Sequence, residues 1–371
     1  MKVNWRDIKS ARNSYAALYS ACEKNGIILN SVDVPEKDIT LYSLNSVNAS
    51  QYLDEIKNAD CITVAGGPHP SAMWNEVLDY ADYVIVGEGE YTLPALIRYI
   101  EKKSAVLPKG VATKDCYTKN DTCVFLDSYP PFTKIKGYLE ISRGCPFRCA
   151  YCQTPRLFGG CMRHRSIDAI IRASKGYNDV RFLTPNALSY GSDGKKPAYE
   201  KLKKLLSCFD KDKNLYLGTF PSEVRPEFVT QESLDIILKY CSNTKLHFGA
   251  QSGSNSVLKR INRGHTTDDV INAVTLCKDN GFVPVIDYIV GLPFETDEEQ
   301  LETVDQMKWA AKYGKIHAHY FTPLPGTPFS KMSPSPLISE VEKTLGKLAL
   351  SGHATGSWVD TELRFFRKNK N

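Results

Sequence analysis

Short apolar runs alternate with helical patterns twice along this 371-residue chain, and that alternation restricts the fold more than any other feature. In the first hundred residues, strands are predicted at 2–5, 27–33, 39–44, 61–67 and 83–90. Helical stretches such as "SARNSYAALYSACEKNG" and "LPALIRYIEKK" fill the gaps. Strands joined through helices run the same way, so a parallel, doubly wound α/β sheet is expected over residues 1–102. Glycines follow two of the strands, at Gly66–Gly67 and at Gly87 and Gly89, with His69, Glu88 and Glu90 beside them. Ligands of such sheets bind beyond the carboxyl ends of the strands, where glycine lets backbone approach them.

Residues 103–135 are polar, proline-containing and weakly periodic, which predicts a linker with a small hairpin. A second alternating series follows. Strands are predicted at 137–142, 180–184, 215–219, 246–250, 283–290 and 315–321. Six β/α units without an obvious seventh suggest a partial barrel over 136–330, with chemistry at the carboxyl ends of its strands. Residues 331–371 read as a C-terminal extension with a basic tail, "RFFRKNKN". No apolar run approaches the roughly 18 residues of a membrane span. The N-terminus carries no signal-peptide core. A cytoplasmic protein without a membrane partner is therefore expected. A net charge of +5 is mild, and it argues against a nucleic-acid partner.

The loop after the first barrel strand, "ISRGCPFRCAYCQTPRLFGGCMRHRS", places Cys145, Cys149 and Cys152 at C-x3-C-x2-C spacing. Eleven cysteines in a cytosolic chain point to metal binding or reactivity rather than disulfides. Three thiolates on one tight loop can ligate three irons of a cubane cluster and leave the fourth open. A structural zinc would want four ligands, and Cys161 or His164 could supply the fourth. Cys22, Cys61, Cys208, Cys241 and Cys277 lie singly in apolar surroundings and read as small core residues. Cys116 and Cys123, in the polar loop, acquire no role.

This spacing, after the first strand of a partial (β/α)6 barrel, resembles the radical S-adenosylmethionine (radical SAM) superfamily, and Tyr151 matches the aromatic residue usual before the third cysteine. The resemblance covers residues 136–330. It implies a 4Fe–4S cluster whose open iron is chelated by the amino and carboxylate groups of SAM. One-electron reduction, by a ferredoxin- or flavodoxin-type partner, then yields a 5′-deoxyadenosyl radical. "TPNA" stands where the superfamily often has a Gly-Gly-Glu motif, leaving Thr184 and Asn186 as SAM contacts. "FPSEVRPEFVT" carries over Ser222, Glu223 and Arg225, which by the resemblance supply an acceptor for the SAM ammonium or ribose and a cation for its carboxylate. "GAQSGSNSVLKRINRGHT" carries over Gln251 and Ser252, with Arg263 and His265 shaping the region. Tyr190, Tyr288 and Tyr320 are candidates for tuning the site. His317 and His319 are candidate pocket residues, with strand packing as the plainer reading.

A Rossmann-like domain directly before such a barrel resembles the cobalamin-binding class of the superfamily. "GGPHPSA" (66–72) and "VGEGEYTLPAL" (86–96) match its segments in sequence and order. By that resemblance Ser43, Asn45, Gly66, Gly67, Pro68, His69, Gly87, Glu88 and Gly89 contact cobalamin. The D-x-H-x-x-G motif of many cobalamin proteins is absent from this domain, which implies base-off binding without a histidine ligand.

The resemblance implies a cobalamin-dependent radical SAM C-methyltransferase. One SAM methylates Co(I), and a second makes the radical that activates a substrate carbon. No protein side chain is assigned as catalytic, because the cofactors carry the chemistry. Compact archaeal members of this class are similar, which implies a peptide or protein substrate such as a glutamine of methyl-coenzyme M reductase. Two other readings are a methylthiotransferase or tRNA-modifying enzyme, and a non-catalytic cobalamin sensor or carrier.

Overall fold

The computed structural model describes residues 1–358 and divides into two compact units. The first comprises Met1–Leu139 with Arg156–Gly159 and Asp168–Ala173. Its sheet contains β1 (Val3–Arg6), β2 (Leu29–Val32), β3 (Ile39–Ser43), β4 (Ile62–Gly66), β5 (Tyr83–Ile85) and β6 (Val111–Ala112), in the order β2-β1-β3-β4-β5-β6. β1 to β5 are parallel, as the alternation predicts, and β6 runs antiparallel to β5. β3 is buried along its whole length, as a central strand covered on both faces must be. Trp5 stacks on Tyr15 of the helix Arg12–Lys24, with ring centroids 4.8 Å apart. The chain leaves β1 to one side for β2 and returns to the other side for β3. That reversal opens a crevice at the carboxyl ends of β1 and β3.

The expected linker does more than connect. Val111 and Ala112 are fully buried in β6, and a hairpin from Gly110 to Thr118 supports them. Val124, Leu126 and Phe132 are buried as well. By packing, the segment belongs to the first unit. Its apolar residues are too widely spaced among polar ones to show a period, which is why the sequence reads as a linker.

The second unit comprises Glu140–Pro155, Gly160–Ile167 and the residues from Ser174 onward. Its strands are β7 (Leu139–Glu140), β8 (Ser142–Arg143), β9 (Arg163–His164), β10 (Asp179–Leu183), β11 (Asn214–Tyr216), β12 (Lys245–Gln251), β13 (Val283–Val290), β14 (Lys315–Tyr320) and β15 (Ala354–Ser357). One sheet has the order β11-β10-β7 and another β12-β13-β14-β15, while β8 and β9 form a hairpin. The segment that follows β11 runs beside β12, through a parallel bridge between Val224 and Phe248 and a hydrogen bond from His247 N–H to Gly218 O at 2.7 Å. Helices such as Gln231–Tyr240, Thr267–Asp279 and Asp297–Ala310 separate the strands, each opened by a threonine capping box.

The predicted six-unit barrel gains a seventh strand. β15, from the expected C-terminal extension, pairs in parallel with β14 after the helix Ser339–Leu350. Its sequence, "ATGS", has no apolar alternation to announce a strand. Gly356 adopts φ +115° against the backbone of Ala318, where a side chain would collide. The basic tail lies outside the described residues.

The buried carboxylate Glu140 anchors this unit. It binds Arg143 at 2.7 Å and Arg165 at 2.8 Å. Burial alone would raise its pKa, but the two guanidiniums overcome that and hold it at about 2. A depressed folded-state pKa contributes stability that is present above the unfolded value and lost as pH falls toward 2. Glu140→Gln leaves two buried cations poorly paired and is expected to cost about 3–5 kcal/mol. Denaturant titration should show that loss at pH 7. It should also show a shallower fall in stability between pH 5 and about 3 than in the unaltered protein.

Candidate functional site

The three cysteines follow the β8 hairpin strand, on a loop opened by Gly144 at φ +89°. Cys149 is buried, and Cys145 and Cys152 are half-buried. Burial pushes the Cys145 thiol up, and the nearby Cys152 and Cys149 sulfurs push it further, while Phe147 N–H and Arg225 oppose them. The loop is fastened on both sides. Ala150 N–H donates to Ile261 O at 2.9 Å, Phe329 N–H to Ala150 O at 3.3 Å, and Gln153 Nε2 to Pro325 O at 2.8 Å. Tyr151 packs against an apolar cluster of Val257, Leu258, Ile261, Leu292, Phe321 and Phe329.

Among the described residues, no three His, Cys, Asp or Glu side chains could hold a single metal ion. Cys149 and Cys152 lie near enough to Cys145 to raise its pKa, and three thiols on one loop match the donor set of a cubane, one for each of three irons. His164, a possible fourth ligand by sequence, has both ring nitrogens engaged, with Ser142 Oγ at 2.8 Å and Ser192 O at 2.7 Å. Cys161 is exposed.

Two arginines flank this loop. Arg263 donates to Cys149 Sγ at 3.9 Å and to Gly249 O at 2.9 Å. Arg225 lies over the Phe147 ring, 3.5 Å from its centroid, and donates to Glu227 at 2.5 Å and to the Arg263 carbonyl. Arg225 therefore supports the loop. The sequence had reserved it for a ligand carboxylate. His265 accepts this setting by staying neutral. Burial, with Arg263 and Arg225 adding to it, lowers its pKa to about 2, and Nε2 bonds Ala250 O at 3.1 Å.

The other candidates divide into structural and available groups. The Ser222 hydroxyl donates to Thr219 O at 2.9 Å, and the Ser252 hydroxyl meets Thr303 Oγ1 at 3.1 Å, so both shape turns. Thr184 Oγ1 donates to Asn186 O at 3.3 Å. Asn186 is buried, its Oδ1 accepts Arg225 N–H at 3.4 Å, and its Nδ2 has no partner. Gln251 sits at φ +72° beside a register shift in β12, a geometry that re-aims its side chain. Glu223 is held above the usual carboxylate range by burial.

The sequence reading missed Asp287. This acid interrupts the apolar strand β13 at an inward position, and burial, then Glu223, push it up to about 8 against the pull of Arg263. An unpartnered amide donor and two half-buried carboxyl groups, with Arg263 between Asp287 and the cysteine loop, are the donors and acceptors that a zwitterionic, cationic ligand such as SAM requires. The three tyrosines have other work. Tyr190 bonds Arg165 O at 2.8 Å, Tyr288 bonds Gln306 Oε1 at 2.9 Å, and Tyr320 bonds Ser335 O at 3.3 Å.

In the first unit, the segments after β3, β4 and β5 come together. Gly67 takes φ +101°, and a Cβ there would lie 2.6 Å from Leu44 O, so only glycine fits. Gly87 also has positive φ, with open space where a Cβ would be, and its N–H donates to Ser71 Oγ at 2.9 Å. His69 Nδ1 is buried without a partner, and burial lowers its pKa. A glycine floor and an orphaned imidazole nitrogen fit a large polar cofactor laid on the strand ends. Asn45 caps its own turn through Val47 and Asn48 N–H, both 2.9 Å away. Glu88 accepts Val124 N–H at 2.8 Å. Gly89 packs against Leu18. Ser43 is buried at the end of β3, beside Gly67.

Residues 139–307 match the model of the Radical SAM superfamily, and residues 39–97 match that of the B12 binding domain. A tRNA-2-methylthio-N(6)-dimethylallyladenosine synthase of Petrotoga mobilis is 33% identical over 208 residues, covering 53% of this chain and 46% of its own. A putative methylthiotransferase of Methanocaldococcus jannaschii is 28% identical over 301 residues, covering 73% and 64%. The chain thus spans about half to two thirds of such relatives. The radical S-adenosylmethionine methyltransferase TsrM from Kitasatospora setae, with cobalamin and a [4Fe-4S] cluster bound, superposes with a TM-score of 0.67 at 15% identity, over 89% of this chain and 74% of that one. The cobalamin-dependent radical enzyme OxsB, with aqua-cobalamin and S-adenosylmethionine bound, gives 0.64 at 18% identity over 100% and 60%. These two likenesses show a shared fold.

The chain carries a B12-binding domain over residues 39–97 and a radical SAM domain over residues 139–307. Its cofactors are a 4Fe–4S cluster, SAM and cobalamin. Among the described residues, no helix is long and apolar enough to cross a membrane.

Replacing any one of Cys145, Cys149 and Cys152 with alanine should abolish cluster assembly. Iron and sulfide per chain, measured after anaerobic reconstitution, should fall to background, while Cys161→Ala should retain both.

Proposed function

We propose that this protein is a cobalamin-dependent C-methyltransferase that acts on an unactivated carbon of a peptide or protein, such as a glutamine side chain of methyl-coenzyme M reductase. The observation that carries the reading is the pairing of a B12-binding match on residues 39–97 with a cysteine loop suited to a cluster on residues 145–152. When bound, the cluster and SAM supply an organic radical, and cobalamin supplies a methyl carrier. The chain's own residues position and shield. Arg225 and Arg263 hold the cysteine loop and set positive charge beside its sulfurs. Asn186 Nδ2, Glu223 and Asp287 orient SAM through groups the protein leaves unspent. Gly67 and Gly87 let backbone approach cobalamin, and His69 Nδ1 offers it a hydrogen bond. No side chain need take a proton from the substrate carbon, because hydrogen leaves as an atom. A ferredoxin- or flavodoxin-type protein supplies the electrons.

A second reading, a methylthiotransferase acting on tRNA, is favoured by the 33% identity to the Petrotoga synthase. The two differ in where the methyl group arrives. With methyl-labelled SAM, a reductant and the holoenzyme, the first reading expects label on a substrate carbon, with consumption that depends on bound cobalamin. Label on a sulfur attached to tRNA, unchanged when cobalamin is withheld, would replace it with the second. A Cys145→Ala strain that keeps the wild-type phenotype would leave a cobalamin carrier in place of both.

A further inference from the structure

The inner face of the second unit's larger sheet holds a polar group that SAM binding does not use. Burial alternates from Ile286 to Val290 on β13 and from Ile316 to His319 on β14. Ile286, Tyr288, Ile316 and Ala318 are fully buried, and Tyr288 reaches Gln306 on the helix Asp297–Ala310, which fixes that side as the helix side. Asp287, His317 and His319 occupy the opposite, half-buried side. Strand register sets Gly249, Asp287, His317 and Thr355 in one row across four strands. His319 Nε2 lies 2.8 Å from His317 Nε2, and His317 Nδ1 lies 2.9 Å from Thr355 Oγ1.

That chain has consequences for hydrogen bonding. Two facing Nε2 atoms need one proton between them. If His317 donates, its Nδ1 accepts from Thr355, and His319 carries its proton on Nδ1. If His319 donates, His317 Nδ1 donates to Thr355, and His319 Nδ1 is a bare acceptor. Among the described residues, no protein group bonds His319 Nδ1. The open end of the relay can therefore donate or accept when both rings exchange tautomers together and the Thr355 hydroxyl turns. Burial, with His319 next to it, lowers the His317 pKa and so favours the neutral form of that ring. The same face carries Asp287, with Glu223 and Arg263 beside it and His247 two residues before Gly249. Among the described residues neither His317 nor His319 forms an ion pair, so a charged ligand group would find no counter-ion within the relay.

We propose that His319, oriented by His317 and Thr355, is a specificity-determining residue that binds an uncharged substrate group able both to donate and to accept hydrogen bonds, namely a carboxamide. The name of the ligand rests on the peptide reading above; the residue and the chemistry it selects do not.

The test uses holoenzyme with SAM and has two arms. In the first, propionamide, propionate and propylammonium compete with ethoxyformylation by diethyl pyrocarbonate, read at His319 by mass spectrometry, with exposed His353 as the control. Propionamide should slow modification of His319 at least about threefold and leave His353 unaffected. Equal protection by the charged analogues, or none by the amide, overturns the proposal. In the second arm, a glutamine peptide should bind at least about tenfold more tightly than its glutamate counterpart. His319→Phe should erase that preference, His319→Asn should keep part of it, and SAM affinity and iron content should not change. If His319→Phe lowers SAM affinity or iron content as well, the residue is structural and the proposal fails. If neither peptide binds while propionamide still protects His319, the peptide reading fails and the assignment of His319 stands.

Discussion

Two buried guanidiniums beside three cysteine sulfurs set the terms for the whole site. Arg225 and Arg263 come from different strand-end segments and meet through one hydrogen bond to the Arg263 carbonyl. Burial disfavours the charge on Arg225, and the like charge of Arg263 adds to that. The protein offsets part of it with the Glu227 carboxylate and with the Phe147 ring face. The rest is met at the other end of Arg263, where a cysteine sulfur accepts the hydrogen bond. A thiolate-ligated cluster adds negative charge to that sulfur side. Its charge is therefore complementary to an arrangement that the polypeptide balances only incompletely.

The same logic explains which polar groups remain open. Ser222, Ser252, Asn45 and Glu88 spend their hydrogen-bonding capacity on turns and on neighbouring segments. Asn186 Nδ2 and His69 Nδ1 are buried with nothing to bond. An unmet buried polar atom costs about 1–3 kcal/mol, which a fold tolerates where a ligand removes the cost. At the strand ends, these two atoms mark where a ligand would supply the missing partner, one in each unit.

Much of this was legible in the sequence, for identifiable reasons. The five parallel strands of the first unit follow from apolar runs bounded by glycine and by helical periodicity, and the cysteine spacing marks the cluster loop. β6 and β15 were not legible. Two residues, "VA", and four, "ATGS", carry too little pattern to outweigh their polar surroundings. Arg225 looked like a ligand for a carboxylate because sequence cannot show that its guanidinium is already stacked and bonded. Asp287 left a readable signal, an acid at an inward position of a long apolar strand. Its effect depends on Glu223, 64 positions earlier in the chain, which no local pattern reveals.

Strand parity carries the argument furthest. A strand with one face against helices must be apolar at every second residue, and β13 and β14 obey this with Ile286, Tyr288, Ile316 and Ala318. The alternate positions escape that demand, so their composition reflects what the open face has to bind. An apolar lumen would have served packing as well and avoided the desolvation of His247 and His317. Polar residues retained there at such a cost point to a polar ligand. Because their charges are largely suppressed by burial, the ligand they fit is polar without being ionic.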